Sequence, residues 1–146
     1  MKLSTRARYA VRMMTDLADR YGEGPVLLKD VARREDISEK YLSLIVIPLR
    51  TAGLVQSKRG ARGGYRLARE PADISVNDIL VAVEGPISMV DCISASGSCS
   101  RISVCPARDV WGLLGDSMTQ ALGAISLTDL VQTRRQKNDG IMMENI

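Results

Sequence analysis

Histidine is absent from the 146 residues, and aromatic residues make up only 3% of them. Without histidine, the chain lacks the side chain that most often serves as a general base. It also has no CxxC pair and no nucleotide-binding loop, so a thiol redox enzyme is the weakest of the functional classes considered. These absences predict that the protein is not an enzyme.

Long apolar runs are also missing, since no run approaches the roughly 18 residues of a membrane span. Arginines interrupt the opening MKLSTRARYAVRMM, which has no apolar signal core. We therefore expect a cytoplasmic protein that does not enter the membrane. Three cysteines, an odd number, fit a reducing compartment, where clustered thiols bind metal or sense redox state more often than they form disulfides.

The net charge of +3 hides a strong asymmetry along the chain. Residues 1–70 carry 15 Lys and Arg against 8 Asp and Glu, a net +7. Residues 71–146 carry 5 against 9, a net −4. A basic front and an acidic rear predict that the front part meets a polyanion.

Hydrophobic periodicity predicts three helices at the front of the chain, over 5–21, 27–35 and 38–53. Ser38 is suited to cap the third helix and Gly53 to end it. Because Pro48 removes a backbone donor near the last turn, any functional face of this helix is expected before it, at 38–44.

Two short strand-like runs, LVQSKRG and GGYRLA, follow the third helix and are joined by RGARGG at 59–64. Their alternation and the glycines of the connection are typical of a β-hairpin. Three helices and a basic hairpin predict a winged helix-turn-helix over 1–71, in a mainly α (α+β) fold.

The rest of the chain predicts a second region, 72–131, with a Ser75-x-x-Asp78 capping box, a cysteine loop over 86–104 and a long helix over 105–125. Apolar residues form a stripe on this helix: Val110, Leu113, Leu114, Met118, Ala121, Leu122 and Ile125. The stripe favours a dimer interface over ordinary intrachain packing. Residues 132–146 are expected to form a disordered tail.

A winged domain reads base edges with the start of its third helix and contacts phosphates and the minor groove with its wing. The predicted DNA-binding residues at these two places are Ser38, Lys40, Tyr41, Ser43, Lys58, Arg59, Gly60 and Arg62. Three arginines of the first helix, Arg6, Arg8 and Arg12, are further candidates for phosphate contacts.

The segments KLSTRARYAVRMMTDLA, ISEKYLSLIVIPLRTAGLV and SKRGARGGYRLA resemble the IscR/NsrR/CymR-type (Rrf) family of bacterial winged-helix transcriptional regulators. The resemblance extends from residue 1 to about residue 131. It implies a homodimer that binds partly palindromic promoter sites in double-stranded DNA, with one winged domain on each half-site. Ser43 and Leu44 stand where the iron–sulfur biogenesis regulator has glutamate and glutamine, so a different operator is expected.

Cys92, Cys99 and Cys105 lie within fourteen positions, in the spacing C-x6-C-x5-C. Several soft thiolates on a pliable loop suit an iron–sulfur cluster, 2Fe–2S or 4Fe–4S, or zinc. The triplet resembles the cluster loop of the family's iron–sulfur members, with one extra residue between the first two cysteines. It predicts an iron–sulfur cluster through which the regulator senses cluster or redox status.

The fourth ligand is open, because Arg108 stands where the related biogenesis regulator has a histidine. Arg8 stands where the nitric-oxide-sensing relative has an aspartate. The remaining oxygen-ligand candidates are Asp109, Asp91 and Asp16. The alternative to a cluster is a regulator controlled by a protein or metabolite partner, as in the cysteine-metabolism branch of the family.

Overall fold

The computed structural model describes residues 2–95, 97 and 99–145. The elements follow in chain order: α1 (Thr5–Asp19), α2 (Leu28–Glu35), α3 (Glu39–Thr51), β1 (Val55–Lys58), β2 (Gly64–Leu67), α4 (Val76–Glu84), α5 (Asp91–Ser94), α6 (Pro106–Gly123) and α7 (Leu127–Glu144). This architecture confirms the predicted mainly α fold with a winged helix-turn-helix. Within the described part of the chain, no helix is long and apolar enough to cross a bilayer.

Serine residues begin four of the helices: Ser4, Ser38, Ser75 and Ser126. The predicted capping box of α4 is confirmed, because the backbone N–H of Asp78 donates to Ser75 Oγ at 3.1 Å. In return, the backbone N–H of Ser75 donates to Asp78 Oδ2 at 2.8 Å. These bonds satisfy backbone donors that the first turn of a helix leaves free.

The hydrophobic core forms where α1 and α3 meet α4 and the first turns of α7. Its largest fully buried side chains include Met13, Met14, Leu42, Ile45, Leu49, Ile74, Ile79 and Leu127. Because Ile74 and Leu127 belong to the same cluster as Met13, the core runs across residue 71. Residue 71 is therefore not a boundary between two separate cores. The division into 1–71 and 72–131 stays a prediction about which part of the chain carries which function.

The hairpin is anchored to the chain between α1 and α2. β1 pairs with β2 antiparallel, in a register that sets Lys58 opposite Gly64. Tyr65 exchanges two backbone hydrogen bonds of 2.8 Å with Val26, which adds a bridge on the outer side of β2. A Cβ on Gly64 would lie 2.5 Å from the carbonyl oxygen of Val26, so only glycine fits this close approach.

The C-terminal part of the chain differs from the sequence prediction beyond residue 131. The 132–146 segment, expected to be a disordered tail, is helical as far as Glu144, because α7, capped by Ser126, spans Leu127–Glu144 without a proline to interrupt it. The predicted helix over 105–125 is present as α6, which has the same length of 18 residues as α7. The capping box formed by Ser126 and Asp129 starts α7 as the one in α4 does.

A buried ion-pair network joins α7 to the helix-turn-helix. Asp16 is 1% exposed and accepts from Arg34 Nε and Nη2 at 2.9 and 2.7 Å. Arg134 of α7 lies 3.9 Å from Asp16 and donates to Glu35 at 2.6 Å. The hydrogen bond to Asp16 raises the pKa of Arg34 above its ordinary value, while burial opposes the shift. The network holds α1, α2 and α7 in one arrangement.

The Asp16→Asn variant removes the buried carboxylate and leaves the Arg34 charge without its bidentate partner. We expect it to lower the free energy of unfolding by about 1.5–3 kcal/mol, the range for hydrogen bonds to a charged group, because the Arg34 left behind is in contact with solvent. Urea denaturation at a fixed protein concentration measures the change. The matched control is Asp19→Asn, whose partner Arg135 is 65% exposed; it should cost less than about 1 kcal/mol. An equal decrease in the free energy of unfolding in the two variants would contradict a structural role for Asp16.

Candidate nucleic-acid interface and cysteine loop

The α3 helix divides into a buried side and an exposed side. Leu42, Ile45 and Leu49, at spacings of three and four, are each no more than 1% exposed. The residues on the opposite side are all exposed: Lys40, Ser43, Leu44, Ile47 and Thr51. This amphipathic pattern leaves one face of α3 free to meet a ligand.

The predicted residues at the start of α3 have different surroundings. Lys40 is exposed, and so is Ser43, whose hydroxyl donates to the Lys40 carbonyl at 2.6 Å. Ser38 is exposed, and its Oγ accepts from the backbone N–H of Tyr41 at 3.3 Å. Tyr41 is half-buried and packs edge-to-face on Tyr9, with ring centroids 5.5 Å apart. The ring of Tyr41 therefore serves packing, while the polar groups around it face outward.

The wing is exposed and strongly cationic. Lys58 ends β1, and the connection to β2 carries Arg59 and Arg62, all with exposed side chains. Gly60 has φ +111°, a backbone conformation that residues with a Cβ rarely adopt. The wing thus presents three positive charges on a turn held in place by the Val26 bridge.

A groove joins the exposed side of α3 to the hairpin. It is lined by Ile47, Arg50, Thr51, Val55, Gln56 and Ser57. The C-terminal half of α3 and strand β1 of the hairpin therefore share one surface.

Of the three α1 arginines, Arg12 has a partner within the chain. It pairs with Glu35, with Nε 3.4 Å from Oε2, and also donates to the Glu35 carbonyl. Arg12 therefore joins α1 to α2, and its side chain stays 43% exposed. Arg6 and Arg8 are exposed, and Arg8 donates to the Thr5 hydroxyl at 3.0 Å.

Two cysteines belong to the helices α5 and α6 or their caps, and the third lies in the segment between these helices. Cys92 is half-buried within α5, and Cys105 is the half-buried N-cap residue of α6. Arg108 of α6 donates to the Cys92 carbonyl at 3.3 Å, which ties the two helices together. Cys99 is exposed, and its sulfur accepts from the backbone N–H of Arg101 at 3.4 Å.

The predicted ligands do not converge in this structure. Among residues 2–95, 97 and 99–145, no three Cys, Asp or Glu side chains are arranged to hold a metal ion. Asp16 is corrected as a ligand candidate, because its carboxylate is buried in the pair with Arg34. Asp91 and Asp109 remain available, exposed in the first turns of α5 and α6.

The apolar stripe of α6 is largely uncovered within the chain. Val110 is 55% exposed, Leu113 69% and Leu114 37%. Only Gly115 of this helix is fully buried. A contiguous set of large exposed apolar side chains on one helix is typical of a protein–protein interface.

A helix-turn-helix with an exposed α3 face and a cationic wing defines a class of DNA-binding regulators. Residues 3–133 match the family model described as "Rrf2: Iron-dependent Transcriptional regulator". The chain therefore belongs to the Rrf2 family, which confirms the resemblance inferred from its motifs.

Three relatives illustrate the similarity. The chain is 42% identical to protein rrf2 of Nitratidesulfovibrio vulgaris over 90% of this chain and 88% of that protein. It resembles the structure of CymR (YrzC), the global cysteine regulator of B. subtilis, with a TM-score of 0.76 and 40% identity over 91% of this chain and 98% of that one. It resembles T. potens IscR with a TM-score of 0.74 and 42% identity over 92% and 88% of the two chains. The chain is thus a transcriptional regulator of this DNA-binding family, and the prediction that it is not an enzyme is confirmed.

The bridge between Val26 and Tyr65 was not predicted, because its partners are far apart in the chain and the sequence carries no local signal for it. Leu44 belongs to the segment predicted to enter the major groove, and its helical spacing from Leu42 and Ile45 sets it outside the buried side.

The Gly64→Ala variant tests how the wing is held. The added Cβ would collide with the Val26 backbone, at a residue with φ +146°, so the wing must shift. We expect a loss of about 1–3 kcal/mol in the free energy of unfolding, together with weaker DNA binding. The control is Gly140→Ala in α7, where the Cβ meets open space; it should leave binding unchanged. Wild-type affinity in Gly64→Ala would contradict the anchoring of the wing at this residue.

Proposed function

We propose that the chain is a homodimeric regulator that binds partly palindromic sites in double-stranded DNA, with one winged helix-turn-helix on each half-site. The observation that carries the proposal is the exposed side of α3, which borders β1 of a hairpin whose wing presents three exposed cations. The start of α3, with Ser38, Lys40 and Ser43, would enter the major groove. Such polar side chains can reach the edges of base pairs there.

The wing would provide the electrostatic part of the affinity. Lys58, Arg59 and Arg62 are exposed, and no salt bridge within the described residues involves them. Cations in this position neutralise phosphates, and arginine gains from the focused potential of a narrow minor groove. The close turn at Gly60 lets the backbone approach the duplex.

The exposed stripe on α6 supports the dimer. Val110, Leu113 and Leu114 recur at three and four residues, which lets two copies of α6 pack along one seam. Two copies related by a two-fold axis would present two α3 helices to successive turns of the major groove.

The variants Arg59→Ala and Arg62→Ala test the wing contacts. Each is expected to weaken binding to all duplexes by a similar factor and to reduce the slope of log affinity against log salt by about 2, because the dimer loses one phosphate contact in each protomer. Fluorescence anisotropy with labelled duplex at several salt concentrations measures both effects. Lys137→Ala, which removes an exposed cation of α7, is the control and should leave the slope unchanged. An unchanged slope in both wing variants would contradict phosphate contacts at the wing.

We further propose that the cysteine loop is the sensory part of the protein. Three thiols unpaired with each other, of which Cys105 lies at a helix N-terminus, form a donor set that fits an iron–sulfur cluster. Cys92, Cys99 and Cys105 would hold such a cluster, which supplies redox and iron sensitivity when bound. Asp91 or Asp109 would complete the ligands with an oxygen donor, after the loop has gathered the three sulfurs.

The position of Cys105 suggests how the signal reaches DNA. Cys105 caps α6, the helix that also carries the apolar stripe, and Arg108 links α6 to α5. A change at the sulfur of Cys105 would thus alter the N-terminus of the dimer helix and the spacing of the two wings. Operator affinity changes only if the two arrangements of the dimer hold the modified loop with different free energies.

A second candidate function is regulation by a protein or metabolite partner without a cluster. One observation favours it: the fold resembles that of a regulator described as the global cysteine regulator of B. subtilis. In this case the thiols would be dispensable for regulation.

Anaerobic purification, followed by an absorption spectrum and an iron count, separates the two candidates. The cluster proposal predicts a coloured, iron-containing protein whose loaded and iron-free forms differ in operator affinity by about 5- to 150-fold. The variant with all three cysteines replaced by serine should be colourless, and its operator affinity should not depend on iron. A colourless wild-type protein, with regulation intact in the triple variant, would favour control by a partner.

A further inference from the structure

The exposed side of α3 carries an apolar patch formed by Leu44 and Ile47. The proposed DNA contacts of Ser38, Lys40 and Ser43 do not explain this patch. Leu44 is 60% exposed and Ile47 is 57% exposed, one helical turn apart. Their neighbours Ile45 and Val46 are buried, so α3 packs on the core without help from Leu44 or Ile47. Packing within the chain therefore does not account for the two side chains.

The surroundings of the patch indicate an anionic partner. Lys40 precedes Leu44 by one turn, and Arg50 follows Ile47 by three residues; both cations are exposed on α3. Two aliphatic side chains also provide far less than the roughly 800 Å² per partner of a stable protein–protein interface. A small apolar patch with a cation on the helix before it and another after it fits the major groove of DNA better than it fits a protein.

The major groove offers few apolar groups, and the C5-methyl group of thymine is the one that aliphatic side chains contact. A leucine side chain has no donor or acceptor, so its favourable contact with a base pair in this groove is with the thymine methyl group. Leu44 lies in the second turn of α3 and before Pro48, in the part of the helix that approaches base edges most closely. Ile47 lies one turn further from the start of the helix.

We infer that Leu44 is a specificity-determining residue that contacts the C5-methyl group of a thymine in each half-site. This inference rests on the proposed function, because it assumes that α3 enters the major groove. It adds that the operator contains a thymine at the step facing Leu44 and that the methyl group itself contributes to recognition.

The test begins with a duplex selected from a random pool by the full-length protein. Each thymine of the selected site is then replaced by deoxyuridine, which removes only the methyl group. We expect one thymine in each half-site whose replacement weakens wild-type binding about fourfold, the effect of losing one buried methyl-sized group. Leu44→Ala should bind the thymine and uracil duplexes equally, because it lacks the side chain that contacts the methyl group.

Ile47→Ala is the matched control, since it removes a similarly exposed aliphatic side chain from the same helix. It should keep the fourfold preference for thymine, and both variants should melt at the wild-type temperature. Equal wild-type affinity for thymine and uracil at every position, or a preserved preference in Leu44→Ala, would overturn the inference while DNA binding stands. Failure of the wild-type protein to select any duplex at low salt would overturn the proposed function and this inference with it.

Discussion

The amphipathic division of α3 is the constraint on which the rest of this structure depends. Leu42, Ile45 and Leu49 must be buried against α1 and α4, and this burial fixes the rotation of the helix about its axis. The same rotation turns Lys40 and Leu44 outward. Packing of the core and presentation of the interface are therefore two consequences of one sequence pattern.

Ionic contacts extend this constraint to the C-terminal part of the chain. Asp16 and Glu35 draw Arg134 of α7 onto the helix-turn-helix, and Leu127 enters the common core. The winged unit and α7 are thus joined by polar and apolar contacts. The α6 helix, by contrast, has only Gly115 buried, and Cys105 is its N-cap residue. The signalling route proposed above depends on this difference, because it requires α6 to shift relative to a winged unit that keeps its own structure.

Local signals made much of this fold predictable from the sequence. The serine caps, the glycine-rich hairpin connection and the periodicity of α3 and α6 are properties of neighbouring residues. Features that depend on distant partners were not predictable. The pairing of Asp16 with Arg34 removed a ligand candidate, and neither the pairing of Arg12 with Glu35 nor the packing of Tyr41 on Tyr9 could be read from the sequence. Each polar residue looked free in the sequence because its partner lies in another helix.

Hydroxyl-radical footprinting of the full-length protein on a selected duplex tests the central claim most directly. The account predicts two protected regions related by a two-fold axis, with centres about 10 base pairs or a multiple of that apart, because each winged unit occupies one turn of the major groove. A single protected region, or none at low ionic strength, would contradict a dimer that reads DNA with α3 and the wing.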